Sequence, residues 1–119
     1  DPFDPATTFS SLASKRHYDK VAAYVDGVAH DGGKVLTGGV DDSGHWLVRP
    51  TIITDLALTA PAYCEEIFGP VCVVNRFESE DDAVALANDT RYGLNAMLFT
   101  ENLSRAPRAP SRPRAVRAA

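Results

Sequence analysis

The stretch "CEEIFGPVCVVNRF", residues 64–77, runs a cysteine and two carboxylates into an apolar pair, a Gly-Pro step and a β-branched segment. Val71, Val73 and Val74 around Cys72 predict a short buried strand over "PVCVVNRF". Gly69 and Pro70 predict a turn of the backbone just before it. Upstream, "TAPAYCEE" has room for one short helical turn. A cysteine beside carboxylates raises the question of a nucleophile and its base. A thiolate nucleophile needs its pKa lowered by a cation, a helix N-terminus or a base relay. Neighbouring carboxylates act in the opposite sense, because they disfavour a second negative charge. Cys64 therefore reads as a small, semi-buried thiol, and Cys72, inside the strand, as core packing.

Working outward from this stretch, Tyr18, Val21, Ala22, Val25, Val28 and Ala29 recur at helical spacing and form one apolar stripe. Lys15, Arg16, Asp19, Lys20 and Asp26 fall on the wet side of the same helix. Ser14 is placed to cap its start, and Gly32-Gly33 to stop it. "KVLTGG" reads as a short buried strand, "DDSG" (41–44) as a turn, and "HWLVRPTII" as extended, with Pro50 at an edge or a bend. Trp46 reads as packing at a strand start. Ser79 stands three residues before Asp82, the spacing of a capping box. The helix behind it, roughly 80–88, is expected to bury Ala83, Val84 and Ala87. "YGLNAMLFT" is the next predicted strand, with Asn95 a structural residue within it. Helices alternating with strands predict an α/β fold with a largely parallel sheet.

Composition narrows the class. The 119 residues suffice for one compact domain, and 45% are hydrophobic, ordinary for a globular chain and too many for a disordered one. No apolar run approaches the ~20 residues that span a bilayer. Two cysteines are too few for a disulfide scaffold, so reduced thiols and a cytoplasmic setting are expected. His17, His30 and His45 pair with no Cys, acid or second His at ligand spacing, and no metal is expected. "TGGVDDSG" is glycine-rich but lacks the pattern of a phosphate cradle.

The charge is uneven. Residues 107–119, "PRAPSRPRAVRAA", hold four arginines and no acid, which leaves eight cations against sixteen acids in residues 1–106, a charge of −8. Prolines at every third position rule out an amphipathic helix there. The tail reads as aberrant and disordered, the body as folded.

"EEIFGPV" followed by "FESEDDAVALANDTRYGLNA" resembles the NAD(P)-dependent aldehyde dehydrogenases, with hydroxymuconic semialdehyde dehydrogenases among the members it leans toward. "GHWLVRPTIITDL" and "SKRHYDKVAAYVDGVAHDGGKVLTGG" are similar to the segments that precede this motif in that family. The resemblance runs from about Asp4 to Ala106. It implies residues 1–106 as an incomplete part of the family's three-layer α/β catalytic domain.

By motif match, Glu66 is the glutamate that contacts the ribose of the cofactor's nicotinamide half. Two ribose hydroxyls suit the two acceptor oxygens of a carboxylate, and charge assistance strengthens such bonds. Phe68 then offers an apolar face near the nicotinamide. Glu65 reads as a solvated acid. A lysine at the place of Lys20 lies near the cofactor in some members; here Lys20 reads as a solvated lysine.

No catalytic residue is assigned within the chain. The resemblance puts the nucleophilic cysteine, the general base and the dinucleotide-binding half upstream of Asp1, and the oligomerisation strand downstream. The implied reaction is oxidation of an aldehyde or semialdehyde to the acid, through a cysteine thiohemiacetal, with NAD as cofactor and NADP as the alternative. The implied partners are a small-molecule aldehyde and further copies of a homo-oligomeric parent, with no nucleic acid and no membrane. The chain alone is expected to be inactive.

A different class of protein is a non-catalytic α/β module whose basic tail binds nucleic acid or an anionic surface. The acidity of residues 1–106 weighs against it. The abrupt change at Ala106 motivates a further hypothesis, a shift of reading frame there. The nucleotide sequence tests it: an adjacent frame should encode another family-like amphipathic helix, and its absence would refute the shift.

Overall fold

A computed structural model describes residues 3–102 and 104. The chain divides between Asn75 and Arg76 into two compact units. The first contains α1 (Lys15–Gly27), β1 (Lys34–Val40), β2 (Val48–Thr54), α2 (Pro61–Cys64) and β3 (Val71–Val74); the second contains α3 (Glu80–Asn88).

Ser14 caps α1 as its sequence position suggests, its side chain accepting from the His17 N–H at 3.2 Å. The helix then presents Val21, Ala22 and Val25 to the interior, and Val28 follows at its C-cap. Ala29 lies past the last helical turn and is exposed, so the apolar stripe ends one residue earlier than its spacing suggests.

The sheet is mixed rather than largely parallel. Its order is β1-β2-β3, with β1 antiparallel to β2 and β2 parallel to β3. Only the segment from Asp55 to Pro70, with α2, is long enough to return the chain for parallel pairing; the turn at 41–44 returns it antiparallel.

Pro50 lies on the central strand, at a bend rather than an edge. Between the pairs Thr37↔Ile52 and Gly39↔Arg49 the register slips, so Pro50 and Thr51 together face Gly38. A Cβ at Gly38 would come within 2.3 Å of the Pro50 carbonyl oxygen, and its φ of +89° also requires glycine. Thr51 repairs the interrupted ladder. Its hydroxyl accepts from the Gly39 N–H at 2.9 Å and donates to the Arg49 carbonyl at 2.6 Å, while its own N–H reaches the Pro70 carbonyl at 2.8 Å. Thr51 is thus a fully satisfied polar residue in the core. At the β1–β2 turn, Asp41 accepts from Ser43 and pairs with Arg49, and these contacts, Ser43 first, hold its carboxyl below the ordinary carboxylate range.

One face of the sheet carries the core. Val21, Val25 and Val28 form a single buried cluster with Val48, Ile53 and Ile67. The other face is uncovered: Ile52, Cys72 and Val74 are all exposed. Cys72 is therefore not core packing, because alternation along β3 turns it to that uncovered face. β1, expected to be buried, is an edge strand with Val35 and Leu36 exposed. Trp46 is likewise exposed, at a left-handed φ of 54°.

In the second unit, Ser79 and Asp82 form both arms of the capping box, at 3.0 and 3.1 Å. Ala83 and Val84 are only half-buried and Ala87 is exposed, so α3 buries no residue fully. Residues 92–100 form no strand, and Asn95 is exposed. An extended segment becomes a strand only when a neighbour takes its N–H and C=O groups, and among the described residues the sheet holds β1, β2 and β3. The expected basic tail, 107–119, lies outside the described residues.

Gly69 packs directly on α1. A Cβ there would stand 2.8 and 2.9 Å from the two γ-methyl carbons of Val21. Val21 is fully buried and stiff at χ1, so it has little room to yield. Gly69→Ala should destabilise the chain by about 1–3 kcal/mol. Adding Val21→Ala should return part of that loss, although it is costly alone. Denaturant melts of the two single variants and the double variant read the coupling; additive losses would contradict the contact.

Candidate functional site

Residues 65–70 form a short bridge between α2 and β3, and three physical constraints fix its path. α2 starts with Pro61 at its first turn and closes with the Glu65 N–H on the Pro61 carbonyl at 2.9 Å. Ile67 is buried in the core cluster. Gly69 then lies against Val21, and Pro70 is held by Thr51. With Ile67 pulled inward, its neighbours Glu66 and Phe68 face outward.

Phe68 adopts φ = +57°, a left-handed conformation rare for a bulky residue. Such a conformation costs roughly 1–3 kcal/mol and persists where the surroundings over-determine it. Here they do: Ile67 is anchored on one side, Gly69 on the other, and the Phe68 carbonyl accepts from His17 Nε2 at 2.6 Å. Phe68 is 73% exposed, so core packing does not explain its size.

The Glu66 carboxylate is exposed and makes no hydrogen bond or ion pair with another described residue. Its main-chain carbonyl faces Lys20 Nζ at 3.4 Å, a long contact. Glu65, expected to be solvated, instead accepts from the Tyr24 hydroxyl at 2.6 Å while remaining exposed. Cys64 is exposed rather than semi-buried, and its Sγ donates to the Leu58 carbonyl at 3.1 Å. The thiol faces a main-chain carbonyl and the adjacent Glu65 faces a tyrosine. They are not arranged as nucleophile and base.

The structure therefore brings Glu66 and Phe68 together on one exposed turn. It also adds three residues that motif reading passed over as contacts, His17, Tyr24 and Glu65. The spacing of His17, Lys20 and Tyr24, one helical stripe flanking Val21, is the signal that could have found them. Among the described residues, no group of three His, Cys, Asp or Glu side chains could hold a metal, and no helix is long and apolar enough to cross a membrane.

The chain thus presents a Glu-Ile-Phe-Gly-Pro turn, left-handed at Phe68, on an α/β layer. The aldehyde dehydrogenase family model matches residues 1–116, and the chain belongs to that family. It is 43% identical to a 2-aminomuconic 6-semialdehyde dehydrogenase of a Pseudomonas species, over 90% of this chain and 23% of that protein. It is equally identical, over the same shares, to a 2-hydroxymuconic semialdehyde dehydrogenase of Pseudomonas sp. strain CF600. A mutant of aldehyde dehydrogenase C from Pseudomonas syringae, solved with NAD+ and octanal, superposes with a TM-score of 0.87 at 33% identity, over 96% of this chain and 24% of that one. The chain thus spans about a quarter of the length of these relatives.

The strain at position 68 has a measurable consequence. Phe68→Gly and Phe68→Ala both remove the ring, but only glycine accepts the left-handed backbone freely. Phe68→Gly should be the more stable of the two by about 1 kcal/mol. Equal melting behaviour of the pair would show that the backbone is unstrained.

Proposed function

We propose that this chain is the cofactor-positioning part of a catalytic domain that oxidises an aldehyde or semialdehyde to its acid with NAD(P). The observation that carries the reading is that Glu66 and Phe68 both stand exposed on a turn anchored by buried Ile67. Glu66 is an exposed carboxylate with two acceptor oxygens, matched to the paired hydroxyls of a ribose. Phe68 places an exposed ring two residues away, suited to the apolar surface of a nicotinamide. An acceptor pair and an apolar ring therefore fit a dinucleotide's nicotinamide half. When bound, NAD(P) accepts the hydride of the oxidation. The residues of this chain hold and orient; the nucleophile and general base belong to other parts of the enzyme. Orientation of this kind can carry much of a rate enhancement.

NAD is the proposed cofactor, with NADP as the alternative. The NAD+ complex of the Pseudomonas syringae relative supports the dinucleotide reading. The two relatives named for aminomuconic and hydroxymuconic semialdehydes support a semialdehyde as the substrate, one from aromatic-compound breakdown in this reading. A cytoplasmic enzyme assembled as a homo-oligomer is the setting that goes with this reading. The basic-tail reading rests on residues outside the described structure and has no comparable support.

Glu66→Ala in the intact enzyme tests the proposal. A charge-assisted hydrogen bond contributes about 1.5–3 kcal/mol, so the KM for NAD should rise roughly 10- to 100-fold. Unchanged KM and turnover would refute it.

A further inference from the structure

Three polar side chains of α1 meet the turn that carries Glu66 at residues 65, 66 and 68. His17 Nε2 is 2.6 Å from the Phe68 carbonyl oxygen, Lys20 Nζ is 3.4 Å from the Glu66 carbonyl oxygen, and the Tyr24 hydroxyl is 2.6 Å from Glu65 Oε2. Residues 17, 20 and 24 lie one above another on a helix, so this is a row of contacts along one stripe. The row runs beside Val21, the residue on which Gly69 packs. Apolar contact thus sets how closely the turn approaches α1, and the polar row sets its rotation about that contact.

We propose that His17 is a positioning residue for the cofactor site, holding the main chain at Phe68 so that Glu66 and Phe68 keep their outward aim, with Tyr24 steadying the turn at Glu65. This inference rests on the cofactor role of Glu66 and deepens it. The hydrogen-bond chemistry is specific. A carbonyl oxygen only accepts, so His17 Nε2 must carry the hydrogen. The bond ends on the one residue of the turn with a left-handed backbone, where peptide rotation would relieve strain. Loss of the donor frees that rotation. The Glu66 carboxylate lies two residues away and has no hydrogen-bond or ion-pair partner among the described residues.

The test uses the intact enzyme and compares His17→Leu with His17→Gln. Glutamine keeps an amide N–H at nearly the reach of Nε2, whereas leucine keeps bulk and removes the donor. His17→Leu should raise the KM for NAD roughly three- to tenfold, the effect of losing one hydrogen bond, with kcat at saturating NAD and the KM for aldehyde little changed. His17→Gln should restore most of the loss. Amide hydrogen exchange at residues 67–70 should rise in His17→Leu and fall back in His17→Gln. Tyr24→Phe should move the same readouts in the same direction by a smaller factor.

Equal behaviour of the leucine and glutamine variants would overturn the proposal, because bulk rather than a donor would then be what matters. So would an unchanged KM in His17→Leu when Glu66→Ala raises it, and in that case the role of Glu66 would stand. If Glu66→Ala leaves the KM unchanged, the cofactor reading fails and the positioning role fails with it, even where exchange at 67–70 still responds to His17.

Discussion

Much of the first unit depends on the close approach of Gly69 to Val21. Only a residue without a side chain lets the backbone at 69 come against the γ-methyls of a fully buried valine. That approach brings Pro70 to Thr51 and so starts the parallel pairing of β3 with β2. It also leaves Ile67 in the core and Phe68 outside it. A larger residue at 69 would push the turn away from α1 and disturb packing, strand pairing and site together.

The site follows from the same constraint. A turn pinned at Ile67 and Gly69 has few ways to carry the intervening residue, and Phe68 takes a left-handed backbone as a result. The strain is tolerated because the neighbours on both sides are fixed by burial and because His17 takes the carbonyl. The outcome is a carboxylate and an aromatic ring displayed on a rigid support. Such a display suits orientation of a ligand better than chemistry on it. Cys64 faces the Leu58 carbonyl, and Glu65 faces Tyr24.

The surfaces on the far side of the sheet fit membership in a larger catalytic domain. Ile52 and Val74 are apolar, yet they stand exposed on neighbouring strands. Burial of such residues normally contributes about 1.5–3 kcal/mol each. The family relatives are about four times longer than this chain.

What the sequence determined by itself was local. The Ser14 cap, the Val21–Val25 stripe, the short turn at Pro61–Cys64 and the Ser79–Asp82 capping box all rest on interactions within a few residues, and each stands in the structure. The motif "EEIFGPV" likewise marked Glu66 and Phe68 as the residues to watch. Burial was decided elsewhere. Cys72, Leu36 and Ala87 are apolar or weakly polar residues in regular elements, but whether they are covered depends on what packs across from them. "YGLNAMLFT" has the composition of a strand and lacks a ladder in this sheet. The antiparallel β1–β2 pairing, the left-handed Phe68 and the row of His17, Lys20 and Tyr24 against the turn join residues far apart in the chain. Only tertiary structure could decide them, because a hydrogen bond between residues 17 and 68 exists only after α1 and the turn have been brought together by the valine beneath.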